Sequence, residues 1–113
     1  MDYKLSITTK DKFGVKNNIK LEPRPHNVTK GIRVQKTLII AEVTLNMNLQ
    51  IDRPSPSSLN GSLFFTNAAD GTSTVIKLPE KKLSVFSDTL VEYPDLQLPS
   101  GLGIISVYVT TII

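Results

Sequence analysis

Ala41-Glu42-Val43-Thr44-Leu45-Asn46-Met47-Asn48-Leu49-Gln50-Ile51 places an apolar side chain at every odd position and a polar one at every even position. Successive side chains of an extended chain point to opposite faces, so this alternation is a strand with one face in a core and the other in water. Upstream the phase reverses. Ile32 and Val34 are even-numbered, Arg33, Gln35 and Thr37 are polar, and the apolar run Leu38-Ile39-Ile40-Ala41 lies between the two phases. Strands average about six residues, so a phase change inside a much longer pattern predicts one bulged, bent strand serving two sheets.

Downstream, Asp52-Arg53-Pro54-Ser55-Pro56-Ser57-Ser58-Leu59-Asn60 combines prolines with serines and ends on Asn60-Gly61, a pair suited to positive φ. An exposed loop is expected there. Residues 62–66 and 72–78 flank Asn67-Ala68-Ala69-Asp70-Gly71 and read as a hairpin with Gly71 in the left-handed position. Shorter strands are expected over 82–86, 89–93 and 96–98, broken by Pro79, Pro94 and Pro99. The end, Leu102-Gly103-Ile104-Ile105-Ser106-Val107-Tyr108-Val109-Thr110-Thr111-Ile112-Ile113, is dense in β-branched residues and reads as a central strand.

Toward the N-terminus, Tyr3, Leu5, Ile7 and Thr9 alternate with Lys4, Ser6, Thr8 and Lys10. A turn near 11–14 lets this segment pair with one running through Ile19 and Leu21. Residues 23–30 contain Pro23 and Pro25 and read as a loop or extended arm ended by Gly31. No segment keeps helical spacing for three turns; one short helix over 80–84 or 87–92 is the most that fits. The expectation is therefore an all-β fold: a single antiparallel β-sandwich or partly open barrel of about 7–9 strands with at most one short helix. Residues 1–113 form one domain, with a basic N-terminal hairpin over 1–22, an extended loop over 23–31 and a β core over 32–113.

Among 113 residues there is no cysteine and no tryptophan, and 40% are hydrophobic against 20% charged. Disulfides, thiolate metal sites and cysteine nucleophiles are thus excluded. No apolar run reaches the roughly 18 residues of a membrane span, and no secretory signal is visible. The cytoplasm or a virion is the expected location.

Catalytic chemistry finds little support. His26 is the only histidine, there is no Gly-x-Ser-x-Gly elbow, and Asp88, Glu92 and Asp95 flank turns as solvated acids do. Gly101-Leu102-Gly103 precedes a strand instead of opening a helix, so neither a dinucleotide fingerprint nor a phosphate loop is present. The chain reads as a non-enzyme that needs no cofactor and no metal.

Two binding features stand out. Residues 1–36 carry nine Lys/Arg against Asp2, Asp11 and Glu22. Lys10, Lys12, Lys16, Lys20, Arg24, Lys30, Arg33 and Lys36 make a basic patch fit for a nucleic-acid backbone or an acidic partner. Tyr3 and Phe13 share the phase of the apolar set and are expected in the core, which weakens a nucleic-acid reading that needs exposed rings.

The second feature is a surplus of apolar residues. With Ile39, Val43, Leu45, Met47, Leu49 and Ile51 packed on Ile105, Val107, Val109 and Ile113, the residues Ile40, Phe64, Val91, Ile104, Tyr108 and Ile112 are left on the opposite phase. A partner is expected to cover Ile104, Tyr108, Ile112, Ile113 and Phe64. The resulting expectation is a structural or assembly subunit that forms a homo-oligomer or docks on a larger complex. Small cysteine-free β domains are frequent among virion components such as capsid and tail proteins, so a virion is one setting for it. The alternative is a small nucleic-acid-binding β barrel that uses the basic N-terminal third.

Overall fold

The computed structural model describes residues 2–19, 26–27, 32–84 and 89–111. These form the strands β1 (Asp2–Asp11), β2 (Lys16–Ile19), β3 (His26–Asn27), β4 (Ile32–Ile40), β5 (Val43–Ser55), β6 (Ser58–Asn67), β7 (Ser73–Lys82), β8 (Thr89–Gln97) and β9 (Gly103–Thr111). Two antiparallel sheets result. The first, sheet A, has the order β2-β1-β9-β8, with β3 also pairing β1; the second, sheet B, has the order β4-β5-β6-β7. Alternate residues of both sheets meet in one core, where Ile7, Leu45, Met47, Leu49, Ile51, Leu63, Phe65, Ile105, Val107 and Val109 are buried. This is the all-β sandwich that the alternation implies.

The C-terminal strand is central. β9 pairs β1 from Tyr3↔Thr111 to Asp11↔Gly103 and carries β8 on its other side. β1 also forms the expected hairpin with β2, from Ile7↔Ile19 to Lys10↔Lys16. The hairpin after Asn67 has its expected form, with Gly71 at φ +73°.

The bent strand is not present. Ala41 and Glu42, at φ 48° and 67°, form a two-residue hairpin turn between β4 and β5, with positive φ at both central residues as in type I′. Ile40↔Val43, Leu38↔Leu45 and Lys36↔Met47 are cross-strand pairs, so even residues before the turn share a face with odd residues after it. The phase reversal marks a hairpin made without Gly or Asn. Ile40 is consequently buried, and Ile39, expected inside, is 71% exposed.

Residues 52–60 are not a loop. β5 runs through Pro54 to Ser55 and β6 starts at Ser58, with only Pro56 and Ser57 between them. A register shift between Asp52 and Ser55 absorbs Arg53 and Pro54 as a bulge. Gly61 lies inside β6 without positive φ; a Cβ there would collide with the Gln50 carbonyl oxygen, so the glycine serves close strand approach.

Prolines 79 and 94 do not break strands either. Each lies in a strand at the rim of its sheet, β7 or β8, and inside a register shift, Pro79 between Leu78 and Lys81 and Pro94 between Tyr93 and Leu96, where the ladder is already interrupted. Neither 80–84 nor 89–92 is helical; the described residues contain one 3-10 turn, Pro99–Gly101. Val91 is buried because a register shift between Thr89 and Val91 resets the phase of β8. Of the extended loop over 23–31, only His26 and Asn27 lie within the described residues, pairing Tyr3 and Asp2.

Tyr93 ties the sheets together. From β8 its ring enters the core, and its hydroxyl donates to the Pro79 carbonyl of sheet B at 2.7 Å, with the Leu59 carbonyl at 3.2 Å. Both acceptors flank the register shift between Leu59 and Gly61, where ladder partners are lost. Lys81 closes the same side, its ammonium donating to the Glu92 carbonyl at 2.7 Å and lying 4.9 Å from the Tyr93 ring centroid. Burial pushes the Tyr93 phenol up to about 12.

Candidate interaction surfaces

Where large apolar side chains stay exposed, a small domain shows what it meets. The described residues hold five: Phe13, Val15, Ile39, Phe64 and Val75. They fall into two groups on different parts of the sandwich.

Ile39, Phe64 and Val75 lie on the outer face of sheet B. Cross-strand register orders this face into rungs: Gln35-Asn48-Phe64-Val75, then Thr37-Asn46-Thr66-Ser73, then Ile39-Thr44. None of these side chains is charged. Thr37 donates its hydroxyl to the Asn46 side-chain oxygen at 3.1 Å, and Phe64 and Val75 are directly opposite each other. The charges stand at the two ends. Arg33 and Lys77 terminate the rung Arg33-Gln50-Ser62-Lys77, with Asp52 close by, while Glu42 and Asp70 occupy the turns at the other end. The Thr72 hydroxyl (2.7 Å) and amide (2.9 Å) both donate to Asp70 and hold its carboxyl below the usual carboxylate range.

The second group is the tip of the β1–β2 hairpin. Its acid is turned inward: Asp11 Oδ1 accepts the N–H groups of Phe13 and Val15, each at 2.9 Å. Backbone bonds Asp11 N to Val15 O (3.0 Å) and Gly14 N to Asp11 O (2.9 Å) close the turn, and Lys12 N to Leu102 O (2.7 Å) moors it to the segment before β9. Phe13 and Val15 are thereby displayed on a braced turn, 72% and 52% exposed. The core position expected for Phe13 is wrong because the alternation of β1 ends at Asp11 and a turn residue inherits no phase.

The apolar residues expected to form one patch are divided. Ile104 and Tyr108, both half-buried, lie on the outer face of sheet A, whereas Phe64 lies on the outer face of sheet B, across the core. Ile112 and Ile113 are outside the described residues. So are Lys20, Arg24 and Lys30 of the basic set.

The remaining basic residues separate as well. Lys10, Lys12 and Lys16 gather at the hairpin tip, Lys36 lines a groove of about 370 Å³ with Asn17 and Asn18, and Arg33 belongs to sheet B's outer face. Lys10 and Lys16 border an open concavity of about 360 Å³ on sheet A, with Thr8, Asn18, Asp95, Ser106 and Tyr108 also lining it. The Ser106 hydroxyl is occupied there, accepting the Asp95 N–H at 3.0 Å.

Ile39 and Val75 were missed as surface candidates. The signal for Ile39 was the phase reversal itself, once read as a hairpin; Val75 follows from pairing with Phe64. No group of three or more His, Cys, Asp or Glu side chains able to hold a metal occurs among the described residues. No described helix is long and apolar enough to cross a membrane. No protein-family model, curated protein or solved structure matches the chain.

Proposed function

We propose that the protein is an assembly subunit, without enzymatic activity, whose copies associate through the outer face of sheet B. The uncharged field on that face carries the reading. Depletion of charge around exposed aromatic and aliphatic groups distinguishes interface cores from ordinary surface. The fourteen outward residues of these rungs, the Arg33-Lys77 rung included, cover about 450 Å² in plan, which side-chain relief extends toward the ~800 Å² per partner of a standard interface.

Charge placement favours a second copy as the occupant. A two-fold axis in the plane of the face and perpendicular to the strands swaps strand ends between copies. Arg33 and Lys77 of each copy then approach Glu42 and Asp70 of the other. Strand addition is opposed by composition at three edge strands, β4, β7 and β8. Lys36 stands on the core-facing phase of β4 yet is exposed, and Pro79 and Pro94 occupy β7 and β8. Faces are therefore the route to assembly. A virion, as capsid or tail component, is one setting for such a subunit.

Charge reversal tests the reading. Glu42→Lys weakens self-association at low salt, Arg33→Glu does the same, and the double variant recovers much of the loss, because opposite charges meet again. Single reversals without effect on association would contradict the proposed packing.

A further inference from the structure

We infer that the β1–β2 hairpin tip and the adjoining concavity of sheet A bind single-stranded nucleic acid. Lys10 and Lys16 are directly opposite each other in the antiparallel pair, the last rung before the turn. Like charges so placed destabilise a hairpin, and neither lysine is needed for the core, since both are exposed. A bound anion removes that repulsion. Lys12 adds a third cation, 5.3 Å from the Phe13 ring centroid. The nearby acid, Asp11, is held by the turn amides, so its carboxylate serves the turn.

Phosphate attraction alone fits any polyanion; the aromatic and polar groups narrow the class. Phe13 offers an exposed ring on a turn fixed by four backbone or Asx hydrogen bonds and moored through Lys12 N, so little ordering is required when a base stacks on it. Beside it, the concavity is lined by Thr8, Asn18 and the half-buried Tyr108 together with Lys10, Lys16 and Asp95. These are hydrogen-bonding partners for sugar and phosphate oxygens along a strand. A lipid surface engages an apolar apex with cations around it, and it makes no use of a polar hollow on the sheet face. The tip is on a different sheet from the self-association face, so the two readings fail separately.

Fluorescence anisotropy of a labelled oligothymidylate titrated with the full chain tests the inference. Each neutralised phosphate of a single strand contributes about −0.7 to the slope of log K against log salt, so three lysines predict a slope of about −2. Lys10→Gln with Lys16→Gln lowers affinity and flattens the slope to about −0.7. Phe13→Ala weakens binding about tenfold at unchanged slope, and Phe13→Trp restores it. All these side chains are exposed, and thermal melts of the variants matching the parent show that the fold is kept. The inference is overturned by absence of salt-dependent binding, by binding that the tip variants leave unaltered, or by capture on phosphatidylserine vesicles without oligonucleotide binding.

Discussion

Replacing Tyr93 by phenylalanine removes one oxygen atom from the seam between the sheets and leaves the ring in place. Its hydroxyl is the donor that Pro79 O receives at 2.7 Å, and the Leu59 carbonyl is 3.2 Å away. The side chain is 2% exposed and its contact with the Leu59 carbonyl is buried, while the bond to the Pro79 carbonyl is partly buried. Losing a buried donor leaves its acceptor desolvated and unpaired, which costs about 1–3 kcal/mol. With an unfolding entropy of about 2.1 cal/mol/K per residue, a chain of 113 residues loses about 4 °C of Tm per kcal/mol. Tyr93→Phe is therefore expected to melt about 4–12 °C lower, with an unchanged urea m-value.

The pH dependence adds a second readout. A tyrosine ionises near 10 when unfolded and Tyr93 near about 12 in the fold, so the native state holds the proton more tightly. The stability from this group is complete below pH 10 and is lost as pH rises toward about 12. The variant lacks that alkaline loss and the phenolate step near 12. A melting temperature within about 1 °C of the parent would refute the seam's proposed role.

Three further perturbations probe the elements that build the surfaces. Gly61→Ala drives a Cβ into the Gln50 backbone and is expected to cost more than about 3 kcal/mol, whereas Gly14→Ala, at φ +85° with open space around it, costs about 1–2 kcal/mol. Urea denaturation separates the two. Glu42→Gly relieves a positive φ of 67° at the β4–β5 turn and is expected to stabilise by about 1 kcal/mol, seen as a higher urea midpoint. Thr72→Val removes the hydroxyl that does most to lower the Asp70 pKa, so an NMR titration of the variant finds that carboxyl closer to its ordinary 3.8.

Much of the fold was legible because period-two alternation reports burial directly. The β5 pattern and the β1–β2 pairing follow from it, while the hairpin around Gly71 follows from its turn residues and the central β9 from its density of β-branched side chains. The errors arose where backbone geometry departed from the usual residue chemistry. Ala41 and Glu42 adopt φ values that Gly or Asn normally supply, so the hairpin looked like a bend. Pro54, Pro79 and Pro94 read as strand breakers, yet a bulge or an open edge accommodates each. Counting phase across a turn or bulge misplaced Phe13 and left Val91 outside the core. Surface grouping was the least legible, because which outward residues become neighbours depends on register between strands distant in sequence. Phe64 and Tyr108 are both outward, and only the sheet order shows that the core separates them.

Light scattering coupled to size-exclusion chromatography, on the parent chain and on Phe64→Lys with Val75→Lys, measures the central claim most directly. The parent is expected at twice the 12.5 kDa chain mass, at both low and high salt, since burial of apolar groups persists as charges are screened. The double variant places unpaired ammonium groups in the uncharged field and is expected at the mass of one chain, with its melting profile intact. A parent that elutes as a single chain at high concentration, or a double variant that stays associated, would contradict the account.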